Sequence, residues 1–154
     1  MPASLEQRLR DLNIELPNVA APAAKFVPCV QTGNTLFVSG QISSWNGELR
    51  YAGKVGREVS IEDARQAARL CALNILAQVR AHLGSLDRVS RMVMVQGFVN
   101  ADPGFTDHPA VINAASDVFL DVFGEPGRHA RFALGAGSLP FNAACEVAAV
   151  VEVS

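Results

Sequence analysis

Ala130-Arg131-Phe132-Ala133-Leu134, then Leu139-Pro140, then Ala144-Cys145-Glu146-Val147-Ala148 is the stretch that decides how this chain is read. Both ends of it are apolar runs of strand length, and each holds a single charge. A charge inside such a run is seldom buried without a partner. A hairpin turning around Leu139 sets Arg131 opposite Glu146 and makes them cross-strand neighbours, although one bulge would break that register. Two readings follow. The pair is a structural ion pair on an edge or interface strand, or it is chemical equipment. In the second case the planar guanidinium grips a small carboxylate through two parallel hydrogen bonds, and the glutamate beside it handles a water or a proton.

Working outward, the strands cover residues 129–136 and 143–153. The clearest helix spans 61–83, with Ser60 and Asp63 at its start and Gly84 just past its end. Ile61, Ala64, Ala68, Ala72, Ile75, Val79 and Leu83 recur at spacings of three and four and form its buried stripe, leaving Arg65, Gln66 and Arg69 outside. A strand follows over 89–99. A turn-rich connection then carries Pro103-Gly104, and a second helix spans 109–123 with Ile112, Ala115, Phe119 and Val122 inward. Toward the N-terminus, Ser4 and Gln7 suit the capping of a short helix ending near Asn13, and a Pro/Ala-rich arm covers 17–24. Strands over 25–31 and 35–38 flank the Gly33-Asn34 turn, and Ser39-Gly40-Gln41 leaves that hairpin. Trp45-Asn46-Gly47 marks another turn, before a short strand at 48–52. The order implies an α+β fold, a mixed sheet with two main helices on one face.

The chain has 154 residues, a length suited to one domain, with residues 1–24 as helix and arm and 25–154 as core. Hydrophobic residues make up 49% and charged residues 18%, which excludes intrinsic disorder. The net charge of −2 weighs against nucleic acid as a partner. No apolar run is long enough to cross a bilayer, and the opening residues lack the apolar core of a secretory signal. Cys29, Cys71 and Cys145 show no metal-ligand spacing and read as buried thiols in a reducing cytoplasm, with no metal expected. His129 precedes Arg131 by two and shares its face, as an interface histidine or as a general base. So few charges coat a monomer thinly; burial between subunits would account for that.

Ala130-Arg131, Leu139-Pro140 and Glu146, with the glutamate fifteen positions after the arginine, resemble the C-terminal signature of the RidA/YjgF family. Gly33-Asn34-Thr35 through Ser39-Gly40-Gln41-Ile42 resembles the same family's earlier hairpin, so the likeness covers roughly residues 26–153. The resemblance implies a chorismate-mutase-like fold assembled as a homotrimer, with ligand sites in the clefts between subunits. It implies hydrolytic deamination of reactive small 2-imino or enamine acids to 2-oxo acids and ammonia, with no cofactor. Under it, Arg131 binds the substrate carboxylate and Glu146 activates water and moves protons. Ser39, Gly40, Gln41 and Asn113 line the substrate site. So do Phe26 and Ala133, which stand where the family often has tyrosine and cysteine. Two other functions stay open: a trimer that binds small carboxylate metabolites without turnover, and the historical family label of endoribonuclease or translation inhibitor, which the acidic balance disfavours.

Overall fold

The computed structural model describes residues 4–19 and 25–154. The elements run α1 (Leu5–Asp11), β1 (Cys29–Thr32), β2 (Thr35–Ile42), β3 (Ser44–Trp45), β4 (Glu48–Leu49), α2 (Ile61–Leu83), β5 (Val89–Asn100), α3 (His108–Phe123), β6 (Ala130–Ala136) and β7 (Cys145–Val153). Five strands form one sheet in the order β1-β2-β7-β5-β6, and β3 pairs with β4 in a separate two-stranded ribbon. The architecture is the mixed α+β one read from the sequence.

The boundaries of α2 follow from its capping residues. Ser60 Oγ accepts from the Asp63 backbone N–H at 3.1 Å, and Gly84 closes the helix at a φ of 85°. The small stripe of Ala64, Ala68 and Ala72 is fully buried, which lets α2 lie close on the sheet. Ile61 is a correction: it sits exposed in the first turn, ahead of the sheet. From Cys71 to Val79 the burial extends round the whole helix, because α3 and the β3 strand cover flanks the sheet does not reach. Arg65 is likewise only partly exposed, its Nη1 donating to the Ala110 carbonyl of α3.

The expected hairpin between the last two strands does not form. β6 pairs in parallel with β5, and β7 pairs antiparallel with β5 on its other side and with β2. Parallel partners need a crossover, and α3 supplies it between β5 and β6. The chain then passes the end of β5 through a 3₁₀ turn at Pro140–Asn142, where Phe141 and Asn142 both take a φ of 58°. β7 therefore enters as the central strand, and its alternating burial matches that place.

Two smaller differences concern the N-terminal hairpin. Pairing begins at Cys29 rather than residue 25, since Pro28 lacks an N–H for the ladder. Ser39-Gly40-Gln41 stays within β2, which continues to Ile42 through a register shift between Val38 and Gln41. At the terminus, α1 docks on the helix layer: Arg8 Nε donates to the Asp121 carbonyl at 3.0 Å and Arg80 pairs with Glu6 at 3.1 Å. The arm expected over 17–24 falls largely outside the described residues.

α2 and α3 cover one face of the sheet. The other face carries Phe37 and Val30, 49% and 52% exposed, beside Val150, Met94, Phe98, Phe132 and Leu134. No described helix is long and apolar enough to cross a membrane.

Candidate functional site

Arg131 sits on β6 opposite Val95, and its neighbour two along, Ala133, sits opposite Gly97. A Cβ on Gly97 would lie 2.7 Å from Ile112 of α3, so this face of the edge strand looks toward the helices. Arg131 accordingly reaches α3. Its Nη1 donates to Asn113 Oδ1 at 2.8 Å and to Ser116 Oγ at 3.1 Å. Both protons of Nη1 are thereby used, while Nε–H and Nη2–H have no acceptor among the described residues. An arginine held at one nitrogen with its other edge open is suited to a carboxylate.

Glu146 pairs with Ile42 on one side and Phe98 on the other, so it faces the open side of the sheet. Its carboxyl lies against Gly40. A Cβ there would stand 3.0 Å from the Glu146 Cδ and 3.1 Å from Oε1, so only glycine leaves the carboxyl its place. Burial raises its pKa above the ordinary carboxylate value, and no described residue pairs with it. Such a group can exchange a proton nearer neutrality than a solvated glutamate.

The cross-strand pairing expected of Arg131 and Glu146 is thus corrected. Strand β5 separates them, they face opposite sides of the sheet, and no hydrogen bond or ion pair joins them among the described residues.

The remaining candidates divide between these two centres. Asn113 and Ala133 lie with Arg131. Ser39, Gly40 and Gln41 lie near Glu146 at the β2 register shift; Ser39 Oγ donates to the Val27 carbonyl at 2.8 Å and Gln41 Nε2 to the Ser39 carbonyl at 3.1 Å. That Ser39 bond pins the segment carrying Phe26, whose ring is exposed.

Two polar residues beside Arg131 went unrecognised or undervalued. Ser116 is absent from the sequence reading of α3, and its place three after Asn113 was the available signal. His129 is half-buried, with Nε2 2.9 Å from Ser116 Oγ and Nδ1 2.7 Å from the Gly127 carbonyl. Desolvation lowers its pKa, and the Arg131 charge adds to that.

The cysteines are free. Burial pushes the Cys145 thiol up to about 12, that of Cys29 up to about 11, and that of Cys71 well above its usual range, so none is a ready nucleophile. Among the described residues no cluster of His, Cys, Asp and Glu is placed to hold a metal.

Residues 6–153 match the family described as "YjgF/chorismate mutase-like, putative endoribonuclease". The Trypanosoma cruzi protein TCP17 is 46% identical over 95% of this chain and 92% of its own. A 2-iminobutanoate/2-iminopropanoate deaminase of Dermatophagoides farinae is 30% identical over 91% of this chain and 94% of its own. Among solved structures, protein Atu1372 of Agrobacterium tumefaciens, of unknown function, superposes with a TM-score of 0.91 at 46% identity, covering 97% of this chain and 92% of that one. With nearly the whole chain matched, this protein belongs to the YjgF/chorismate mutase-like family, also known as the RidA/YjgF family.

Proposed function

We propose that this protein hydrolyses small 2-imino acids, and their enamine tautomers, to 2-oxo acids and ammonia. The observation that carries the reading is the pair of unsatisfied groups: an anchored arginine with one open edge, and a half-buried glutamate with no partner. Arg131 takes the substrate carboxylate and Glu146 takes a proton from the attacking water. Water adds across the C=N bond to give a carbinolamine. Glu146 hands that proton to nitrogen as the carbinolamine forms, then takes the carbinolamine hydroxyl proton and passes it to the amino group, so that the C–N bond breaks, the C=O bond forms and ammonia leaves. The imine carbon is already electrophilic, so positioning supplies much of the catalysis. Family membership and the 30% identical deaminase support the reaction class.

Arg131 and Glu146 face opposite sides of one sheet, so they cooperate only if different copies of the chain supply them. We therefore read the active form as a homotrimer with its sites in the clefts between subunits. Exposed Phe37, Val30 and Leu134 support burial of the open sheet face against another copy. Asn113, Ser39, Gly40, Gln41, Phe26 and Ala133 would complete the cleft lining. Free thiols suit a reducing compartment such as the cytoplasm.

The test generates 2-iminobutanoate in situ and follows release of ammonia and 2-oxobutanoate. Acceleration over buffer, lost in Arg131→Ala, is expected. No acceleration across several side chains would sink the enzymatic reading. A second reading, capture of a small carboxylate without turnover, is favoured by Phe26 and Ala133, which bring no hydroxyl or thiol to the cleft. Thermal stabilisation by 2-oxo acids without imine hydrolysis would select it.

A further inference from the structure

Behind Arg131 the hydrogen bonds run in one direction. Ser116 is 8% exposed, and its hydroxyl accepts from Arg131 Nη1, so its own proton needs an acceptor. His129 Nε2 lies 2.9 Å away. Across the ring, Nδ1 lies 2.7 Å from the Gly127 carbonyl oxygen, which can only accept. The ring proton therefore sits on Nδ1, and neutral His129 presents a bare Nε2 to Ser116. Each member has a single consistent orientation: Arg131 donates to Ser116, Ser116 to His129, and His129 to Gly127.

We propose that Ser116 and neutral His129 are positioning residues for Arg131, locking its guanidinium through Nη1 so that Nε–H and Nη2–H form a preset grip for a 2-oxo or 2-imino carboxylate. The proposal deepens the reading of Arg131 as the carboxylate anchor and rests on it. Setting the arginine before the ligand arrives spares the ordering of a long side chain on binding.

The relay also carries a pH dependence. A second ring proton on Nε2 leaves Ser116 facing two donors, with nowhere for its own proton. The groups facing His129 are Arg131 from β6, Ser116 and the Phe119 ring from α3, and Arg91, Arg128 and Glu152 around an adjoining cleft of about 470 Å³. Burial is the main reason the ring stays neutral to lower pH than an ordinary histidine; the hydrogen bond to the Gly127 carbonyl opposes this, and the Arg131 charge adds to it.

The experiment has two arms on the full-length protein. In the first, nitrogen NMR of the wild-type imidazole reads the tautomer; a protonated Nδ1 with a bare Nε2 is expected, and the opposite tautomer overturns the proposal. In the second, calorimetry follows 2-oxobutanoate binding. Ser116→Ala and His129→Phe should weaken it about tenfold, the size of one charge-assisted hydrogen bond. His129→Gln, whose amide can both accept from Ser116 and donate to Gly127, should recover most of that loss. Wild-type affinity should fall on acidification through the His129 titration, and Ser116→Ala should not show this fall. Binding by Ser116→Ala and His129→Phe within twofold of wild type, with Arg131→Ala binding lost, overturns the relay and leaves the Arg131 reading standing. Unchanged binding by Arg131→Ala, or none by wild type, overturns the Arg131 reading and the relay's purpose together. Should either relay variant fail to fold, the wild-type tautomer decides.

Discussion

Arg131 and Glu146 face opposite sides of the same sheet, with β5 between their strands. Arg131 is tied to α3 by Asn113 and Ser116, and Glu146 is set in the space that Gly40 leaves on the open face. Under the proposed reaction, one subunit then carries two half-sites, each incomplete alone.

The role given to Glu146 is the first to test. Glu146→Gln keeps the shape of the side chain and removes its proton transfer. Imine hydrolysis should fall by about 10²–10⁴ while binding of 2-oxobutanoate persists. Steady-state kinetics with calorimetry separate the two, and a variant of wild-type rate would remove Glu146 from the chemistry.

Gly40→Ala sets a methyl group 3.0–3.2 Å from the Glu146 carboxyl end. The clash falls on a flexible side chain, so the fold should tolerate it while the carboxyl moves. Thermal melting close to wild type with turnover lowered about tenfold or more is expected. A fully active Gly40→Ala would show that the placing of this carboxyl is immaterial.

Gly97→Ala acts elsewhere. The new Cβ would meet the Ile112 side chain at 2.7–2.9 Å, where β5 and α3 pack closely. Overpacking of this kind costs about 1–3 kcal/mol, read as a lowered melting temperature. An unchanged melting temperature would mean that α3 has room to shift.

Burial raises the Glu146 pKa above its ordinary value of 4.5. Between the unfolded and the folded pKa the native state binds more protons than the unfolded chain. The associated stability is therefore fully present below the unfolded value and is lost as pH rises through the folded one. Glu146→Gln should flatten that part of the stability curve. The acid limb of the rate profile should lie above the ordinary carboxylate range, because the water-activating form appears only above the raised pKa. Rate profiles and melting curves across acid pH check both, and an acid limb at ordinary carboxylate values would contradict the assignment.

These relationships differ in how openly the residues announce them. The ends of α2 were legible because Ser60 and Gly84 make local contacts with their own helix. The inner face of α3 was legible because Ile112, Ala115, Phe119 and Val122 repeat at helical spacing. The place of β7 was not, since strands consecutive in the chain are taken as neighbours and nothing local announces a crossing past the end of β5. That crossing reversed the meaning of the Arg131–Glu146 spacing from a pair to a separation. The Ser116–His129 contact was equally hidden, because it joins a helix to the residue ahead of an edge strand through tertiary packing alone. The sparse charge and exposed Phe37, Val30 and Leu134 belong together: the apolar residues lie on the face that carries Glu146.

Complementation between subunits tests the central claim most directly. Arg131→Ala and Glu146→Gln are each expected to be inactive, and they are mixed in equal amounts under conditions where subunits exchange, with exchange followed by mass spectrometry. If the two half-sites come from different copies, random assembly into a closed ring pairs an intact Arg131 with an intact Glu146 at about a quarter of the clefts, and imine hydrolysis returns to about that fraction of wild type. Mixed assemblies with no more activity than their parents would contradict the shared site.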